Sequence, residues 1–373
     1  ALHIGSKDDE GLKRTVHTAV IICLAGGILI TVFGILFSHN ILALMNTKDE
    51  LIDGAVLYLR IYLLGMPALG LYNFGNAVLS AAGDTKRPLY YLAFAGVVNV
   101  ILNLFFVIVC HLGVAGVALA SMISQFISAF LILRALLIGK EKYCLRLSEI
   151  RFDKRKAVGI LQIGIPSAFQ YSLFAFANLF VQSSVNSFDH VLVEGNSAAA
   201  NADPLVYDMM AAFYTACSSF IAQNFGARKK KRILQTYLIC LFYSFITSLV
   251  LGVGIYLARY PFLYLFTSDK AVVEAGITRL SIMALSYSAS AFMDASIAAS
   301  RGLGKTAVPT FVVVMGSCVF RIIWIYTIFA YFHTIQSLYI LYVFSWGITA
   351  IAENIYFFHV YRHTLTGKTE LHL

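Results

Sequence analysis

Apolar residues in this chain fall into blocks of about 20 or more, separated by short stretches that hold most of the charge. At about 1.5 Å of rise per residue, a helical block of that length crosses a bilayer core. Hydrocarbon offers no partner for backbone N–H and C=O groups, so such blocks must be helices. The alternating segments of a transmembrane β-barrel do not occur. The pattern predicts ten spans, at 15–38, 51–77, 88–110, 114–138, 157–187, 204–223, 233–258, 272–300, 308–332 and 337–361. The polar stretch 196–203 blurs the start of the sixth. Pro67 and Pro166 fall mid-span and are expected to break their helices, freeing carbonyls.

The blocks repeat. Shifted by 221 residues, which lays Gly83 on Gly304, the chain aligns with itself without gaps for about a hundred positions. Gly5 falls on Gly226, Leu64 on Leu285, Thr85 on Thr306 and Pro88 on Pro309. Matched points lie six spans apart, an even number, so both copies run the same way through the membrane. A parallel duplication about an axis along the membrane normal follows. The domains expected are an incomplete four-helix amino-terminal lobe at 1–138, a basic linker at 139–156, and a six-helix carboxy-terminal lobe at 157–373. The second copy has two spans, about 65 residues, ahead of Ala222, whereas nothing here precedes Ala1. Symmetry therefore predicts two further helices upstream, giving ten of an expected twelve.

Composition supports the membrane reading. Hydrophobic residues make up 59% of 373 positions and charged residues 13%, about half the share found in soluble domains. The net charge of +9 does not point to nucleic acid, because the basic residues sit between apolar blocks. Of 28 Lys and Arg, 22 fall on alternate connections, among them Lys86, Arg87, the stretches 134–156 and 228–232, and Lys368. The opposite connections hold only Lys48, Arg259 and Lys270. That bias places the first set in the cytoplasm. The acidic stretch 189–203 becomes an outer loop. The six cysteines are scattered and form no CxxC pair, so neither a disulfide framework nor a metal-ligand set is expected.

The cytoplasmic turns Gly83-Asp84-Thr85-Lys86-Arg87-Pro88 and Gly304-Lys305-Thr306-Ala307-Val308-Pro309 combine a helix-ending Gly, a capping residue and a first-turn Pro. Gly304-Lys305-Thr306 is not a P-loop, since Ala299 stands where that motif needs glycine. The first turn resembles the Arg-x-x-Gly-Asp-Thr-Lys-x-Pro turn of multidrug and toxic compound extrusion (MATE) transporters, with Ser80 in place of the Arg. Residues 300–306 resemble that family's second copy, 221–227 the end of its eighth helix, and 164–166 the start of its seventh. The resemblance covers essentially the whole chain and implies an all-α integral membrane fold of two six-helix lobes. It also implies a secondary antiporter that exports organic, often cationic, compounds against H+ or Na+, with no other cofactor. The coupling acid that such transporters commonly carry on their first helix has no counterpart in this sequence.

Ionisable residues inside spans mark functional sites. Asp294 lies seven residues before Arg301, about 10 Å inside the cytoplasmic end. It sits where the resemblance implies an acid on the tenth helix. Its repeat partner is the amide Asn73, which cannot exchange a proton, so ion coupling falls to Asp294. Arg321, some 14 residues into its span, needs a partner that Asp294 or Glu353 could supply. Arg60 and Arg279 lie nearer the outer ends and are expected to snorkel. Gln170 and Asn178, eight apart, share a helix face and with Tyr171 and Tyr287 could line a cavity or glue helices together. Asp208 is a weaker candidate. The partners expected are the bilayer and a small organic substrate, with no nucleic acid, for a monomer in the plasma membrane. A lipid-linked precursor flippase of the same superfamily, favoured by Arg321, and a truncated product that transports nothing are the alternatives. A membrane enzyme would need a His/acid or Ser/His cluster that the nine histidines do not form.

Overall fold

The computed structural model describes residues 1–44 and 49–364, and these are helical with no strand. Lys48 and Lys368, both used in the charge count, lie outside the described residues. The helices are α1 (Leu2–Ser6), α2 (Asp9–Leu44), α3 (Asp49–Leu63), α4 (Met66–Ala81), α5 (Lys86–Val109), α6 (Gly113–Ile138), α7 (Lys154–Val185) and α8 (His190–Ala200). They continue with α9 (Ala202–Gly226), α10 (Lys230–Leu257), α11 (Arg259–Tyr264), α12 (Lys270–Gly302), α13 (Ala307–Phe332) and α14 (Ile335–His363). Among the described residues, nine helical segments are long and apolar enough to cross a membrane, with α8 and α9 counted together. The bent pair α3–α4 makes a tenth. The chain is thus a multi-pass α-helical membrane protein. Helices such as α5 turn large apolar side chains outward, including Leu89, Phe94 and Val97, which fits hydrocarbon rather than water as their solvent.

The two mid-span prolines behave differently. At Pro67 the chain bends by 44° between α3 and α4. There the Leu63 carbonyl accepts from Thr31 Oγ1 at 2.6 Å, and Gly27 packs on the Pro67 backbone. At Pro166 the expected break does not occur, and α7 runs unbroken through it. Proline removes one N–H from the ladder, but Ser167 Oγ donates to the Ile163 carbonyl at 2.9 Å beside the gap. That bond falls one residue past Gln162, whose carbonyl is the one Pro166 leaves without its helical donor.

The outer loop expected at 189–203 is a helix. Asp189 caps α8, accepting from the Leu192 N–H, and α8 runs to Ala200 before α9 begins at Ala202. One polar side chain, Asn196, is turned inward and buried against Arg279, while Glu194 and Ser197 face outward. Two of three side chains are buried in the central stretch of α12, which packs on α8, α9, α10 and α14. The ten Ala, Ser and Gly residues among the fifteen from Ser288 to Gly302 admit such close neighbours. Gly252 of α10 lies against the Ala284 carbonyl.

Several 221-residue matches have structural counterparts. Lys7 and Arg228 both take positive φ (58° and 56°), as do Gly83 and Gly304 (92° and 76°). Gly5 of α1 lies against the Gln223 backbone, while Gly226 of α9 lies against the Leu2 backbone. Leu2 and Gln223 are themselves a matched pair.

Candidate functional site

A cavity of about 1000 Å³ opens among α7, α9, α12, α13 and α14. Three helical stripes build it. From α12 come Arg279, Met283, Tyr287, Ser290, Asp294 and Arg301, successive steps of three, four or seven residues that keep one face. From α7 come Gln170, Phe174, Asn178, Val181 and Val185, and from α9 Asp203, Tyr207, Met210, Tyr214 and Ser218. Ala1, Ala77, Ser80 and Ala81 close one edge.

Along α12, Arg279 and Arg301 are separated by about 33 Å of helix, and polar groups gather at three levels between them. Around Arg279, Asp203 takes an ion pair from Nη2 and a hydrogen bond from the Tyr287 hydroxyl, and Nη1 donates to Asn196 Oδ1 at 2.6 Å. Arg279 is only 6% exposed, so it does not snorkel. An acid and an amide on α8–α9 draw it inward, and pairing inside outweighs reaching for the surface. At the middle level is Arg321, fully buried, with Nη1 donating to Asn178 Oδ1 at 2.8 Å and Nε to Ser345 Oγ at 3.3 Å. Its guanidinium lies 4.7 Å from the Phe174 ring centre and 4.5 Å from that of Tyr342. Neither Asp294 nor Glu353 pairs with it among the described residues. Neutral oxygens and two π faces take the place of the expected carboxylate. Two π-helical turns, Val314–Val319 and Ile325–Phe329, bracket the Arg321 segment, a distortion frequent at functional sites.

The third level holds Asp294 and Arg301. Asp294 is half-buried on the cavity wall, and its Oδ2 is shielded with no hydrogen-bond partner in the protein. Arg301 Nη2 donates to Gln170 Oε1 at 2.9 Å. The structure therefore gathers Gln170, Asn178, Tyr287, Asp294 and Arg321 around one cavity, with Tyr171 also on the wall. Asn73 is exposed on α4 and lies off this lining, and so does Asp208. Glu353 is fully buried on α14, outside the lining, with neither carboxyl oxygen hydrogen-bonded in the protein. Sequence reasoning passed over Asp203 and Asn196, whose seven-residue spacing was the available signal. It also missed Phe174, Tyr342 and Trp346, which nothing distinguishes in a chain 14% aromatic.

Comparison with known proteins places this architecture. The MatE family profile matches residues 1–105 and 166–327. Probable multidrug resistance protein YoeA of Bacillus subtilis is 28% identical over 292 residues, 76% of this chain and 63% of the relative. Probable multidrug resistance protein YpnP of the same organism is 31% identical over 230 residues, 61% of this chain and 51% of the relative. The chain thus spans between half and two thirds of the length of these two relatives. A solved MOP superfamily transporter from Pyrococcus furiosus superposes with a TM-score of 0.91 at 21% identity, covering 97% of this chain and 81% of that one. At that identity the likeness speaks for the fold. The profile match extends over most of the chain, and the chain belongs to the MatE family.

Proposed function

We propose that this protein is a plasma-membrane secondary antiporter that exports organic compounds from the cytoplasm in exchange for H+ or Na+, with its basic connections on the cytoplasmic side. Relatives named as multidrug resistance proteins support the export of small organic molecules. The observation that carries the coupling step is Asp294, a carboxyl on the wall of a large, aromatic-lined cavity with one oxygen unpartnered. A carboxyl in such a place is relieved of its charge by a proton or by a hard cation. Either occupant changes the field inside the cavity, where low dielectric makes single charges count. Export then follows from an alternation in which the ion enters from outside and the substrate leaves. Asn73 occupies the matched position in the other half and has no proton to exchange. The two halves, 1–138 and 157–373, act as lobes that rock about the linker 139–156.

Asp294→Asn tests this with little change of volume. In everted vesicles carrying the intact protein, the variant is expected to reach the membrane and bind substrate. It should lose uptake driven by a proton or sodium gradient, and its substrate affinity should stop responding to the ion. Normal gradient-driven uptake with unchanged ion dependence would make Asp294 structural.

A further inference from the structure

Charge in the cavity does not balance. Three arginines line it, Arg279, Arg301 and Arg321, against two carboxyls, Asp203 and Asp294. Asp203 is engaged by Arg279, and Arg301 lies on the same face of α12 as Asp294, seven residues on. Arg321 remains without a carboxylate among the described residues, at the middle of the wall. It is fully buried, and its Nη2 has no hydrogen-bond partner in the protein. Burying a cation without an anion is costly unless something else offsets it. Phe174 and Tyr342 supply part of that with their ring faces, and Asn178 and Ser345 hold the other guanidinium nitrogens. These four contacts fix the plane of the guanidinium and leave Nη2, itself buried, without a hydrogen-bond partner in the protein.

A guanidinium held rigid with an unmet donor suits the oxygens of a carboxylate, phosphate or sulfonate. Ring faces beside it, with Tyr339 and Trp346 also on the wall, suit a planar aromatic body. We propose that Arg321 is an anion-binding subsite and that the cavity takes aromatic compounds bearing an anionic group, which docks on Arg321. This deepens the transport reading, in that it rests on the cavity being where substrate binds, and it departs from the expectation of cationic cargo. Arg321 then sets specificity while Asp294 carries the ion, two charges at separate levels of one cavity. A purely cationic compound meets Arg321 as a like charge.

Binding in detergent, with no gradient present, tests this apart from coupling. The probes are 1-naphthyl phosphate and 1-naphthyltrimethylammonium, alike in ring and opposite in charge. The readout is quenching of Trp346 in a Trp324→Phe background, since the chain has two tryptophans and Trp346 is the one on the cavity wall. The phosphate is expected to bind at least about tenfold more tightly than the ammonium. Arg321→Gln should lower phosphate affinity about tenfold or more and leave ammonium affinity equal or improved, and Arg321→Lys should fall between. Ammonium binding as tight as phosphate in the unaltered protein would overturn the proposal without any variant. Phosphate affinity unchanged in Arg321→Gln would overturn it as well. A result in which Asp294→Asn abolishes gradient-driven uptake while the phosphate shows no preference would leave the antiport reading standing and remove this one.

Discussion

At the residue scale, depth in the membrane can be read from the sequence but partnership cannot. Asp294 and Arg321 stand out because an ionisable side chain deep in an apolar run is conspicuous, and the structure puts both on the cavity wall. What Arg321 touches depends on two other helices, α7 and α14, and no spacing within its own helix could name Asn178, Phe174 or Tyr342. Arg279 was misread for the same reason: its position near a helix end invites snorkelling, yet Asp203 and Asn196 arrive from α8–α9 and hold it inside. That pairing predicts a cost. Asp203→Asn leaves the Arg279 guanidinium buried with only amide and ring contacts, a loss of about 1–3 kcal/mol. The figure belongs at the lower end of the buried-pair range because the Asp203 side chain is 37% exposed. Thermal unfolding in detergent of Asp203→Asn, Arg279→Gln and the double variant would check it. The double should lose less than the sum of the singles. Strict additivity would mean that the two residues are neighbours without coupling.

At the element scale, the length of the apolar blocks located the helical segments far better than where polarity interrupts them. The stretch 189–203 reads as a loop because it mixes acids, amides and small residues. Within it, however, Asn196 and Ala199 are buried while Glu194 and Ser197 are exposed, an amphipathic pattern drowned by the chain's overall apolarity. Pro166 was misread because losing one N–H from a ladder of this length need not end the helix, and α7 continues through it. Pro67 bends its span because the chain leaves helical bonding at Leu64 and Gly65, which close short turns to Ile61 and Tyr62 instead. The orientation proposed from charge makes a sharp prediction about these elements. In a background without native cysteines, Ser187→Cys and His190→Cys sit in the exposed approach to α8. They should react with an impermeant thiol reagent added outside intact cells. Ala199→Cys on the buried face of α8 should not react, and Lys229→Cys at the start of α10 should react only after permeabilisation. Labelling of Lys229→Cys from outside would reverse the assigned orientation.

At the scale of the whole molecule, the 221-residue repeat was legible because turn chemistry is less tolerant than apolar packing: a glycine at φ 92° or 76° cannot drift to another residue without strain. Less visible was that matched residues meet. Gly5 abuts Gln223 and Gly226 abuts Leu2, so residue i of one half touches j′ of the other while j touches i′. That reciprocity defines a contact across a twofold axis. α1 and the end of α9 therefore pack closely on each other, and Gln223 Nε2 also donates to the Ala81 carbonyl of α4 at 2.6 Å. A Cβ at Gly5 would lie 1.9 Å from the Gln223 oxygen, and one at Gly226 would lie 2.3 Å from that of Leu2. Both clashes are with backbone, which has little freedom to move aside. Gly5→Leu and Gly226→Leu should therefore each destabilise the fold by about 1–3 kcal/mol, and by similar amounts, read as matched falls in unfolding temperature. Because both wedges force the same surface apart, the double variant should cost less than the two singles together. A large effect at Gly226 with none at Gly5 would show that the contact is one-sided, and the two halves would then not share an axis at this point.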